Sequence, residues 1–166
     1  LRHRPRGLAV AFVSVASPKA ALDLFVRAQA AAGFGLTGFE LMSGLAMEFA
    51  LRHLAGARLP TSPAPWYVLI EISSSLSNSE AEAVVLDVLA GATAAGEAIE
   101  AAVAQSLSQA ADFWRLRHGM SEVQKYEGGS IKHDVSVPIG DLPAFLDEAM
   151  AAVVEAFPGC RPVPFG

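Results

Sequence analysis

Residues 8–16, Leu-Ala-Val-Ala-Phe-Val-Ser-Val-Ala, form a short apolar run rich in β-branched side chains, which predicts an inner strand. Ser17-Pro18 then reads as a helix N-cap with proline at the first helical position. Spacings of three and four put Leu22, Phe25, Val26 and Gln29 on one side of that helix, and Gly33 ends it. A second strand is predicted over 36–41. Ser43 caps a second helix over 44–54, with Leu45, Phe49 and Arg52 on neighbouring turns. The stretch 56–65 holds three prolines and reads as a surface loop. Residues 66–73, Trp-Tyr-Val-Leu-Ile-Glu-Ile-Ser, make the clearest strand. Ser79, followed three residues later by Glu82, forms a capping box that opens a helix to Ala95-Gly96.

Residues 97–109 fit two patterns: the alanines favour helix, while Ile99, Ala101 and Val103 alternate as a short strand would. A helix is predicted over 108–123, a turn at Gly128-Gly129, and a strand of period two over 130–138. Asp141 caps the last helix, with Pro143 in its first turn, Phe145, Ala149 and Val153 on its face, and Phe157-Pro158-Gly159 as its stop. Residues 161–166 begin like another strand. Helices and antiparallel-capable strands in this order predict an α+β fold, a two-layer sandwich of ferredoxin-like type.

Composition narrows the function. The chain has 166 residues, the size of one domain or of part of a larger one. It is 52% hydrophobic and 17% charged, which excludes disorder. With 12 Lys+Arg against 17 Asp+Glu, and no basic run beyond the first six residues, it is not a nucleic-acid binder. Arg2, Arg4 and Arg6 ahead of the first apolar run imitate a secretory signal, but the run is short and a buried strand is the preferred reading. No apolar stretch approaches the ~18 residues of a membrane span. The single cysteine, Cys160, excludes an internal disulfide framework and suits a reduced, cytoplasmic compartment. The chain starts at Leu1 and is more apolar than a small domain requires, so it reads as a fragment.

There is no G-x-S-x-G elbow, no H-E-x-x-H and no Gly-rich phosphate loop, and Gly33-Phe-Gly35 is a helix stop. The four histidines show no metal-ligand spacing. Two segments stand out, Trp114-Arg-Leu-Arg-His-Gly-Met-Ser121 and Ser130-Ile-Lys-His-Asp-Val-Ser-Val-Pro138. Arg117 and Ser121 are four apart and share a helix face. On the predicted strand Ile131, His133, Val135 and Val137 point one way, Lys132, Asp134 and Ser136 the other. The planar fork of Arg117, the charge of Lys132 and the hydroxyl of Ser121 would suit a small acid anion. Plainer roles compete: a surface-paired Arg117, a cross-strand Lys132–Asp134 pair, a core His133, a His118 complementing the helix dipole, a packed Cys160 and a Trp114 core anchor.

The same segments carry a resemblance. Trp114-Arg-Leu-Arg117 with Lys132-His-Asp-Val-Ser-Val-Pro138 resembles the C-terminal domain of FAD-linked oxidases, the family of D-lactate dehydrogenases, D-2-hydroxyglutarate dehydrogenases and the glycolate oxidase flavin subunit. The likeness extends to the first strand, Phe39-Glu-Leu-Met42, the strand from Trp66, and Ala104-Gln-Ser106. In the D-2-hydroxyglutarate members, the arginine of W-x-L-R, a hydroxyl residue four later and the lysine before D-x-S-x-P contact the substrate carboxylates. The matching positions are Arg117, Ser121 (a threonine in some relatives) and Lys132. The resemblance also favours strand over 97–105, closing a first βαββαβ unit and starting a second, incomplete one.

One departure is large. In the family, Pro162-Val-Pro-Phe-Gly166 would lead into an H-x-G-D-G-N-x-H segment and later a Glu-His-Gly, which supply divalent-metal ligands, zinc being expected, and the base. Neither those segments nor the N-terminal FAD-binding domain are among the 166 residues. The resemblance therefore implies that 1–166 is the substrate-side domain, cut at its C-terminal end, of an FAD-dependent enzyme oxidising a D-2-hydroxy acid to the 2-oxo acid. Catalytic, FAD and metal residues would lie outside it, and the fragment alone would be inactive. Expected partners are the 2-hydroxy acid, the FAD domain of the same chain and a second copy in a homo-oligomer. The alternative is a non-catalytic ferredoxin-like module for small-ligand binding or dimerisation, with Arg117 and Lys132 on separate surfaces.

Overall fold

The computed structural model describes residues 6–166; Arg2 and Arg4 of the signal-like pattern lie outside them. Four strands, β1 (Gly7–Val15), β2 (Leu36–Ser43), β3 (Trp66–Ser74) and β4 (Glu100–Val103), form one sheet in the order β2-β3-β1-β4. Every neighbouring pair is antiparallel. With α1 (Pro18–Ala32) after β1 and α3 (Asn78–Ala94) after β3, this is the expected βαββαβ sandwich. An additional helix, α2 (Gly44–His53), is inserted between β2 and β3. The chain continues through α4 (Leu107–Val123) and α5 (Leu142–Ala156).

The unbroken apolar run of β1 has a physical cause. Its residues Ala9, Ala11, Val13 and Val15 pack in the core under α1 and α3, and Val10 and Phe12 in a second core under α2 and α4. A strand covered on both faces has no solvent side to keep polar. The one polar side chain in this stretch, Ser14, is fully buried and meets the Thr61 hydroxyl at 2.6 Å and the Ser62 carbonyl at 3.2 Å. That contact ties the proline-rich loop to the central strand.

Ser17 caps α1 by accepting from the Ala20 amide, and Gly33 closes it at φ 53°. The buried stripe of α1 is Ala21, Leu24 and Ala28, not the predicted one; Val26 and Gln29 face solvent. Small side chains let the helix lie close on the sheet, so the alanines define the inner face. On α2, capped by Ser43, the buried residues are Ala46, Met47, Phe49 and Ala50, and Arg52 is exposed. The cap of α3 is Ser77, two residues before the predicted Ser79, and it accepts from the Glu80 amide. Ser77 and Glu80 carry the same capping spacing, and the Glu80 carboxylate takes the Ser74 hydroxyl. The open stretch 97–109 resolves into β4 and the start of α4, whose cap is Ser106.

The largest difference is at 130–138, which forms no strand. Ile131 is 83% exposed, and His133 lies in solvent, not in the core. Alternation makes a strand only where a neighbour completes the ladder. The outer edge of β2 is instead taken by the chain end. Gly166 donates to the Leu41 carbonyl at 2.9 Å and Ser43 to the Pro164 carbonyl at 3.1 Å, an antiparallel pairing that sets Phe165 beside Met42. On α5 the packed side is Leu142, Leu146 and Met150, one residue round from the predicted face, and Val153 is exposed. Asp141 stands at the cap position without a side-chain bond.

Candidate functional site

The helix α4 carries the candidate residues, and its buried stripe fixes where they point. Ala110, Phe113, Leu116, Met120 and Val123 turn inward. Trp114 and Arg117 therefore flank the core on the side of β2, and Ser121 follows one turn on in solvent. On β2, Gly38, Glu40 and Met42 share one face by the period of two, the face covered by α2 and α4. Gly38 is needed there: a Cβ at that position would come within 3.1 Å of the Trp114 ring. The close approach lets the Trp114 indole N–H donate to the Glu71 carboxylate at 2.9 Å, while Thr37 donates to the same carboxylate at 3.0 Å.

One turn along α4, Arg117 Nε donates to Glu40 Oε2 at 2.6 Å. Its guanidinium carbon lies 4.9 Å from the centroid of the Phe165 ring. Among the described residues the terminal Nη atoms of Arg117 donate no hydrogen bond. One further turn on, Lys132 Nζ donates to the Ser121 carbonyl at 2.7 Å and its hydroxyl at 3.0 Å. Ser121 and Lys132 are thus brought together. Arg117 is one turn away on the same helix and forms no hydrogen bond with either. Lys132 does not pair with Asp134, the cross-strand partner its spacing suggested. His118 stacks on Trp114 at 5.2 Å between centroids, in the middle of α4, not at a helix end. Trp114 is an anchor, half-buried against the second core. Cys160 is partly exposed, its thiol 3.6 Å from the Val153 carbonyl.

A second cluster has no signature in the sequence. The Glu127 carboxylate, side chain 10% exposed, accepts from Arg52, from His53 Nε2 at 2.7 Å and from Arg161 at 3.0 Å. Arg161 also donates to the Glu127 carbonyl at 2.8 Å. The His53 hydrogen bond foremost, against desolvation and together with the two arginines, holds the carboxyl down at about 2. Tyr126 lies against the His53 ring, and Arg52 and Arg161 both sit over Phe49. This cluster joins the end of α2, the residues after α4 and the chain end. It therefore sets where the segment bearing Lys132 begins.

A cleft of about 250 Å³ lies between the starts of β1, α3 and α4, lined by Asn78, Glu82 and Gln105 among others. None of Arg117, Ser121 or Lys132 lines it. Among the described residues no three His, Cys, Asp or Glu side chains gather in metal-ligating geometry. The β1–α1 turn is Ser17-Pro18 and the β3–α3 turn ends at Ser77, so neither offers a glycine-rich cradle for a flavin pyrophosphate. No helix among these residues is long and apolar enough to cross a membrane.

Comparison with known proteins gives a family match over residues 4–166, to FAD linked oxidases, C-terminal domain. Among curated proteins, a probable D-2-hydroxyglutarate dehydrogenase, mitochondrial, of Oryza sativa subsp. indica is 33% identical over 146 residues, covering 87% of this chain and 26% of that protein. The mitochondrial D-2-hydroxyglutarate dehydrogenase of Arabidopsis thaliana is 30% identical over 134 residues, 80% of this chain and 24% of its own length. The D-2-hydroxyglutarate dehydrogenase of Xanthomonas citri pv. viticola is 35% identical over 133 residues, 79% and 27% respectively. The chain spans about a quarter of the length of these relatives.

Proposed function

The chain belongs to the FAD-linked oxidase C-terminal domain family, and from that premise we propose that it is the substrate-side domain of an FAD-dependent dehydrogenase converting a D-2-hydroxy acid to the 2-oxo acid. D-2-hydroxyglutarate is the first candidate, because the relatives carry that substrate in their names. The observation that carries the reading is the line along α4. Lys132 is folded back onto Ser121, and the open Nη fork of Arg117 stands one turn before them. Two cations of different geometry one turn apart, one of them on a hydroxyl, suit a dicarboxylate. Arg117 would take a carboxylate through two parallel N–H bonds, and Lys132 would act as a compact charge.

FAD, bound by a separate domain of the same chain, would supply the hydride acceptor. This chain's part is to hold the acid by its carboxylates, so that the carbon to be oxidised reaches the flavin in one orientation. The divalent metal that the resemblance implies finds no ligand set among the described residues. A reducing, cytoplasmic setting agrees with the single partly exposed thiol of Cys160.

The test is Arg117→Ala and Lys132→Ala in the flavin-loaded holoenzyme. Removing a charge-assisted carboxylate bond costs about 1.5–3 kcal/mol, so KM for the hydroxy acid should rise by about tenfold or more in each variant. Unchanged KM and kcat in both would sink the assignment. The 166-residue chain alone is expected to show no flavin absorbance and no turnover.

A further inference from the structure

The proposed carboxylate site leaves open why Arg117 presents one edge of its guanidinium and not another, and the residues around it answer that. A guanidinium offers a carboxylate two kinds of edge: the side-on edge made by Nε and one Nη, and the end-on edge made by the two Nη atoms. In this protein Glu40 Oε2 accepts from Nε at 2.6 Å, which closes the side-on edge that includes Nε. The guanidinium carbon sits over the Phe165 ring, 4.9 Å from its centroid. Glu40 stands on β2, and Phe165 is pinned along the edge of that strand away from β3 by the Leu41–Gly166 and Ser43–Pro164 backbone bonds. The side chains are only partly exposed, 20% for Arg117 and 26% for Glu40. A long, flexible arginine is thereby held between Glu40 and Phe165 before any ligand arrives.

We propose that Glu40 is a positioning residue for substrate recognition: by occupying Nε it fixes Arg117 so that only the Nη fork faces the carboxylate, with Phe165 packed against the group. Glu40 also cancels the charge of Arg117 locally. Recognition at Arg117 then rests on the direction of its two donors, and Lys132 supplies the net attraction for the acid. The inference rests on the reading that Arg117 binds a substrate carboxylate.

The experiment is a double-mutant cycle in the holoenzyme, read both as KM against kcat and as calorimetric Kd for D-2-hydroxyglutarate. Glu40→Ala, or Glu40→Leu where the cavity left by alanine impairs folding, should raise KM and Kd by about tenfold and change kcat much less. Glu40→Gln keeps an acceptor for Nε and should restore binding to near that of the parent. Adding Glu40→Ala to Arg117→Ala should weaken binding no further, because the first residue acts only through the second. A strong Arg117→Ala effect with a silent Glu40→Ala and Glu40→Leu, additive losses in the double variant, or a Glu40→Gln loss equal to that of Glu40→Ala would overturn the positioning role. A silent Arg117→Ala would instead overturn the carboxylate reading itself. Phe165→Leu, which removes the ring but keeps bulk, should give a smaller rise in Kd of the same kind.

Discussion

Glu127 shows how much of this molecule is decided by single residues that no spacing rule connects. Arg52, His53, Glu127 and Arg161 come from three separate parts of the chain, and only folding assembles them. By contrast Arg117 and Ser121 were legible as neighbours, because four residues on one helix bring side chains together without knowledge of the rest. Lys132 was legible as a candidate cation but not as the partner of Ser121, and Glu40 was not legible as the partner of Arg117. Its contact spans 77 residues. The depressed carboxyl of Glu127 makes a pH prediction with a definite sign. Its folded-state value of about 2 lies below the ordinary 4.5, so the folded protein releases this proton more readily than the unfolded chain. The resulting stabilisation is fully present above about pH 4.5 and is lost as pH falls through about 2. Glu127→Gln should therefore lower the urea midpoint relative to the parent at neutral pH, and the two should converge on acidification. A difference constant from pH 7 down to about 2 would refute this.

At the scale of elements, legibility followed local chemistry and failed where a distant neighbour decides. The caps at Ser17 and Ser43, the stop at Gly33 and the strands β1 and β3 were readable because each depends on a few consecutive residues. Helix faces were less so. On α1 the large residues Val26 and Gln29 were expected inward, yet the alanines Ala21 and Ala28 touch the sheet. The alternation over 130–138 was real as a pattern, but no strand edge among the described residues receives it. Ser14 is the polar exception inside β1, and its cost of burial is offset by Thr61 and Ser62. Ser14→Ala should destabilise the protein by about 1–3 kcal/mol, since it leaves the Thr61 hydroxyl buried without its partner. Adding Thr61→Val should recover part of that loss, because both ends of the bond then become apolar. Urea unfolding of the two variants checks the pair, and an equal or larger loss in the double variant would show that the contact is not what holds the loop.

For the whole molecule, the sheet is covered on both faces, yet the C-terminal third keeps apolar side chains in solvent. Ile131 and Val135 are exposed in the segment 130–138, Ile139 in the turn that follows it, and Val153, Val154 and Phe157 near the end of α5. Residues 130–138 also have backbone groups outside any ladder. Unpaired backbone beside exposed apolar side chains is a condition under which chains add to one another by strand pairing. The apolar composition of the chain thus has two origins: a doubly covered sheet, which uses it, and this surface, which does not. The 166-residue chain should accordingly self-associate, with a sedimentation coefficient that rises with protein concentration. Ile131→Lys with Val135→Lys adds two positive charges to the segment that already carries Lys132, and should shift the chain towards monomer with no change in its unfolding midpoint. If the double variant associates as strongly as the parent, the surface responsible lies elsewhere, and Phe34, fully exposed after α1, is the next residue to replace.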